Sequence, residues 1–283
     1  LLHGLNKLHI NRICHRDIKP ANIAYGPFNE DYICRYLDFG LSINLLNDRR
    51  PMLNKIIDEL NSLDVTERQK YSKLIISSLK EHHFLEIINK PRFSINNITD
   101  AEAEIIVSKI YCGTPDFFPP EYFSFIIHMA NKFPNLIKPD GYISRMVYPY
   151  TKNPYNEDEL IQLMLINSMR LFKYAFSEEI IANIPEYVKN LARMPDLINM
   201  FFNDTKKILY PLVFYSDYYA LGLTLSKMYE SLKIKDDLVL GFIRELCHYD
   251  ITSRWKIKLP EFIERFTIAI KKGHAETVGG PSA

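Results

Sequence analysis

Leu1, Leu2, Leu5 and Leu8 recur at helical spacing, which predicts that the chain opens on an amphipathic helix. The polar stretch CHRDIKPANI follows, from Cys14 to Ile23. Two short apolar runs come next, 23–25 and 32–37, and the Gly-Pro-Phe-Asn-Glu-Asp between them is turn chemistry. That pattern predicts a β-hairpin, with Asp38-Phe39-Gly40 closing its second strand. From about 43 to 107 the periodicity is helical and polar. Leu53, Ile56, Ile57 and Leu60 form one stripe, and a second helix starts near Thr66-Glu67 and carries Leu74, Ile75 and Leu79. CGTPDFFPPE, Cys112 to Glu121, is dense in turn residues. Between 122 and 208 the pattern is again helical, with breaks expected at Pro134, Pro139, Pro149, Pro154, Pro185 and Pro195. Residues 215–227 and 235–248 read as buried helices, and the apolar-poor 273–283 reads as a flexible tail.

Composition narrows the function classes. Lys and Arg number 35 against 34 for Asp and Glu, a net charge of +1, so no basic field points to nucleic acid or an anionic membrane. The apolar runs 123–127 and 209–214 are too short to span a bilayer. Four cysteines without a C-x-x-C spacing argue against a zinc site or a disulfide framework, and imply a reducing, intracellular setting. Glu81, His82 and His83 read as a polar helix face. The first residue is Leu1 and not Met, so the start is expected to be a cut.

Four segments concentrate the reactive side chains: HRDIKPAN at 15–22, DFG at 38–40, GTPDFFPPE at 113–121 and SDYYALG at 216–222, with Arg254 later in DITSRW. In this order they resemble the catalytic signature of the eukaryotic-type Ser/Thr protein kinases, as found in divergent lineages such as large DNA viruses. The resemblance implies a mainly α fold with a small β-hairpin region. Residues 1–272 would be a kinase C-terminal lobe carrying two long helical inserts, approximately 43–107 and 122–208, with the N-terminal lobe absent. It implies ATP and Mg2+ as cofactors, a protein substrate, and the missing N-lobe in cis as a partner.

The same resemblance assigns roles. Asp17 would orient the substrate hydroxyl and accept its proton, and Lys19 would neutralise charge on the transferred phosphoryl group. Thr114 would bridge the two, and with Lys19 points to Ser/Thr acceptors. Asn22 and Asp38 would be oxygen ligands to magnesium. Ala24 would form the floor beneath adenine, shallower than usual. His15 and Phe39 would stack, with Gly40 completing DFG; Glu121 would pair with Arg254 in the interior, and Asp217 would accept hydrogen bonds from the backbone around His15-Arg16. Arg16 is the type of residue that pairs with a phosphate on an activation segment. The customary acceptor position is Ile110, which cannot be phosphorylated, and Thr99, Ser108 and Tyr111 stand nearby.

The chain departs from the family pattern in three ways. None of its ten glycines makes a G-x-G-x-x-G loop, and no strand lysine is available to grip ATP. Pro119 stands where the family has Ala. About seventy residues lie between DFG and GTP, far more than an ordinary loop, so the inserts could bind a protein partner. A pseudokinase or scaffold that binds partners through its inserts is the alternative function.

Overall fold

Helix α1 (Leu2–Ile10) buries Leu5 completely and half-buries Leu1, Leu2 and Leu8, as its stripe requires. The computed structural model describes residues 1–28, 31–44, 83, 84, 86, 87, 90, 95–138, 141–147, 156–194, 209–233 and 236–278. The stripe through Leu53 and Leu60, the helix from Thr66, Glu81 and His82, and the breaks at Pro139, Pro149, Pro154 and Pro195 lie outside these residues.

Strand β1 (Ile13–Cys14) leads into the polar loop, and β2 (Ile23–Phe28) pairs antiparallel with β3 (Asp31–Tyr36). The hairpin is present, but its strands run further toward the turn than the apolar runs do. The register sets Ile23 opposite Tyr36, Ala24 opposite Arg35 and Tyr25 opposite Cys34. Strand β4 (Ile43–Asn44) pairs with β1, Cys14 facing Ile43. This corrects the helical reading from residue 43: the buried backbone of Cys14 needs a partner, and Ile43 supplies it while burying its own side chain.

The described remainder is helical, in keeping with a mainly α chain. Its helices are α2 (Asp100–Ile110), α3 (Pro120–Lys132), α4 (Tyr142–Val147), α5 (Glu157–Phe172), α6 (Glu178–Ala192), α7 (Leu209–Ser231), α8 (Asp237–Leu246), α9 (Ile251–Arg254) and α10 (Leu259–Val278). Caps explain several of the starts. Asn156 accepts from Asp158 N, Ser177 from Ile180 N and Asp236 from Val239 N, each satisfying an amide that the helix itself cannot.

Helix α7 lies at the centre, with residues 216–224 all buried, and it packs on α5, α8 and α9. At Gly222 it passes so close to α8 that a Cβ would stand 2.7 Å from Cys247 N. Helix α3 buries Phe123, Phe125, Ile126 and Ile127 fully. Each of these side chains stabilises the fold by about 1.5–3 kcal/mol.

A further expectation fails for a physical reason. Pro185 was expected to break the chain, yet it sits inside α6. That helix buries Ile184, Val188, Leu191 and Ala192 and packs on α3 and α5, so packing outweighs the missing hydrogen bond. The backbone of residues 273–278 continues α10. Among the described residues, no helix is long and apolar enough to cross a membrane.

Candidate active site

The loop after β1 is held by one carboxylate. Asp217, 1% exposed on α7, accepts from His15 N and Arg16 N, both at 2.8 Å. These bonds hold Arg16 in the left-handed region at φ 67°, a conformation that costs a non-glycine residue about 1–2 kcal/mol. His9 Nε2 donates to the same carboxylate at 3.1 Å from α1, with its ring against Phe214 and Tyr218. Sequence reasoning missed His9, which lies 208 residues from its partner.

Beyond Arg16 the chain turns through a short 3-10 helix, Pro20–Asn22, whose first position suits the fixed φ of proline. The turn carries Asn22 back over Asp17, so its Nδ2 donates to Asp17 O at 2.8 Å and to Asp17 Oδ2 at 2.9 Å. Lys19 Nζ lies 2.8 Å from Asp17 Oδ2 and donates to Thr114 Oγ1 at 2.7 Å. Thr114 Oγ1 in turn donates to Asp17 Oδ1 at 2.7 Å. Acid, cation and hydroxyl thus close a triangle, although Thr114 is nearly a hundred residues from the other two.

Asp17 is 8% exposed. Burial pushes its carboxyl up, but the hydrogen bonds from Lys19 and Thr114, the charge of Lys19 and the bond from Asn22 together outweigh it. The result is a pKa below the usual aspartate value, so Asp17 is ionised at neutral pH.

His15 ties this loop to the next segment. Its Nε2 donates to Leu37 O at 2.9 Å, so the proton resides there and Nδ1 can accept from Asp17 N at 3.3 Å. The His15 and Phe39 rings are 4.9 Å apart, with His15 wholly buried and Phe39 47% exposed, so Phe39 covers the outer side of the His15 ring. Leu37 N donates to Asn22 O at 2.9 Å, which sets Asp38 beside the Asn22 turn. Asp38 is exposed, left-handed at φ 55°, and accepts from Gly40 N at 3.2 Å. Ala24 is half-buried on β2.

Thr114 is placed by the segment on either side of it. Gly113 adopts φ 119°, and a Cβ there would stand 2.4 Å from Arg16 O, so only glycine fits. On the far side, Ser168 of α5 donates to Pro115 O at 2.6 Å. Helix α5 therefore braces the Pro115–Phe117 turn, another contact invisible in the sequence. A pocket opens next to Asp17, lined in part by Ile18, Thr114, Phe117, Phe118, Tyr122 and Ala220.

At the start of α3, Arg254 donates from Nη2 to Glu121 Oε1 and from Nη1 to His248 O, and its guanidinium lies 5.1 Å from the Tyr219 ring centre. Both charged side chains are wholly buried, and among the described residues Glu121 Oε2 has no hydrogen-bond partner. Burial pushes the Glu121 carboxyl up, and the charge and hydrogen bond of Arg254 recover only part of that. Among the described residues, no cluster of three or more His, Cys, Asp or Glu side chains forms a metal cage.

No family model and no solved structure matches the chain. Curated protein kinases match parts of it. The chain is 29% identical over 121 residues to an Aurora kinase of Schizosaccharomyces pombe, covering 43% of this chain and 33% of that protein. It is 54% identical over 43 residues to cyclin-dependent kinase E-1 of Arabidopsis thaliana, which is 15% of this chain and 9% of that one. It is 50% identical over 42 residues to the probable serine/threonine-protein kinase fhkB of Dictyostelium discoideum, 15% of this chain and 4% of the other. The chain spans a third or less of the length of these relatives. The partial likeness to several Ser/Thr kinases supports a kinase relationship at that coarse level.

Proposed function

We propose that the chain is the catalytic-loop half of a Ser/Thr protein kinase, which transfers the γ-phosphate of ATP to a protein Ser or Thr hydroxyl. The observation that carries this reading is the closed triangle of Asp17, Lys19 and Thr114. Phosphoryl transfer asks the protein mainly for positioning and charge neutralisation. An ionised Asp17 would orient the acceptor hydroxyl and take its proton, Lys19 would offset charge on the phosphoryl group, and Thr114 would fix the geometry of both.

Asn22 and Asp38 fit magnesium. With both Nδ2 bonds spent on Asp17, Asn22 has its amide oxygen left to offer, and the exposed Asp38 carboxylate stands on the adjoining segment. Both are hard oxygen donors of the kind Mg2+ takes, and the bound ion would neutralise phosphate charge. Ala24 would lie beneath adenine. No G-x-G-x-x-G loop occurs in these 283 residues, and in this reading an N-lobe would supply the contacts that grip ATP from above. In this reading the helical body is a kinase C-lobe, the pocket beside Asp17 faces the substrate, and α5 and α6 are insert helices that stiffen the peptide platform. A scaffold would have use for that bracing, but it has no chemical need for Asp17, Lys19, Asn22 and Asp38 together.

The test is phosphoamino-acid analysis of proteins incubated with the full-length gene product, ATP and Mg2+. Phosphoserine and phosphothreonine are expected. Phosphotyrosine alone would refute the acceptor class, and no transfer would favour the scaffold.

A further inference from the structure

Arg16 anchors more than the catalytic loop. Its guanidinium donates from Nε to Leu41 O and from Nη1 to Lys109 O, each at 2.6 Å. Leu41 follows directly on Gly40, and Lys109 lies in the last turn of α2. One side chain therefore grips both ends of the long segment between DFG and GTP. Charge-assisted bonds of this length are the strong kind, and the C-terminal carbonyls of a helix carry partial negative charge that suits a cation.

Helix α2 is built to present those carbonyls. Thr99 and Glu102 form a reciprocal cap at its start, while Ala103, Ile106, Val107 and Ile110 fix it to the core. Cys112 Sγ shares the Lys109 carbonyl at 3.4 Å, and Gly113 then packs on Arg16 O. Two of the three nearby hydroxyls already have local bonds: Ser108 Oγ donates to Ile105 O at 2.8 Å, and Thr99 caps the helix. Ile110, at the customary acceptor position, is buried.

We propose that Arg16 is a positioning residue that locks this segment through the carbonyls of Leu41 and Lys109. The C-terminus of α2 then takes the place of a regulatory phosphate, and the site is ordered without phosphorylation of the segment. The regulatory meaning rests on the kinase reading; the clamp itself does not.

Hydrogen exchange on unphosphorylated protein, its state verified by intact mass, tests this without nucleotide or turnover. In the wild type, the amides of residues 105–112 are protected. Arg16→Ala raises their exchange about tenfold and leaves α6 unchanged, and Arg16→Lys, which keeps the charge but loses the fork, falls between. Unchanged exchange in Arg16→Ala overturns the proposal. So does a wild type that exchanges as fast as Arg16→Ala until Ser108 or Tyr111 is phosphorylated. If α6 also loses protection in Arg16→Ala, the variant has unfolded and Arg16→Lys decides, with wild-type rates counting against the clamp. Absent phosphotransfer with this exchange pattern intact would count against the kinase reading alone.

Discussion

Replacing Glu121 with Gln keeps the shape of the side chain and removes its charge, which leaves Arg254 as an unpaired cation in the interior. Both partners are 0% exposed, so no water can take over the lost partner's role. Breaking one side of such a pair costs about 3–5 kcal/mol. The pair is nevertheless a poor source of net stability. Among the described residues, Glu121 Oε2 and Arg254 Nε have no hydrogen-bond partners, and burial outweighs the attraction of Arg254 at the carboxyl. Arg254→Met should therefore cost about as much as Glu121→Gln, whereas Glu121→Leu/Arg254→Met together should recover most of the loss. Urea unfolding followed by far-UV circular dichroism reads the stabilities. Thermal scans should show each single variant melting about 10 °C lower. Single variants that lose less than about 1 kcal/mol, or a double variant that is the worst of the set, would refute the reasoning.

Gly113→Ala forces a Cβ to within 2.4 Å of Arg16 O, at φ 119°, and is expected to destabilise by about 2 kcal/mol or more, whereas Gly26→Ala meets nothing within 4 Å and should be near neutral; equal urea midpoints would contradict this. Thr114→Val removes both hydroxyl bonds of the triangle and should slow phosphotransfer by about tenfold or more, while Thr114→Ser keeps most of the rate; a fast valine variant would exclude Thr114 from the chemistry. His128 on α3 donates from Nδ1 to Ala192 O at 3.0 Å; burial pushes its imidazole pKa down, the bond to Ala192 O pulls it back, and the charge of Lys132 lowers it further. On acidification the unfolded chain takes this proton first, so stability falls as pH drops below about 6.5. The melting temperature should thus drop more for the wild type than for His128→Gln between about pH 7 and about pH 5, and parallel curves would refute it.

What the sequence made legible was local. HRDIKPAN, DFG and GTPDFFPPE stand out because charged, polar and turn-forming residues crowd there at short spacings, and the hairpin follows from its turn residues. The Thr99-x-x-Glu102 cap was equally local and went unread. The rest depends on packing between distant segments. Ser168 meets Pro115 only because α5 packs on the Pro115–Phe117 turn, and His9 meets Asp217 only because the end of α1 reaches α7. Pro185 argues for a break in isolation, but the apolar face of α6 keeps the helix whole once α3 covers it. Ile43 looks helical until Cys14 needs a strand partner.

The central claim is that Asp17, held by Lys19, Thr114 and Asn22, faces the acceptor hydroxyl during phosphoryl transfer. Its most direct test is the initial rate of phosphate transfer from ATP to protein by the full-length gene product with Mg2+, wild type against Asp17→Asn. The account predicts a loss of at least about 100-fold with the fold intact. Equal rates in the two proteins would contradict it.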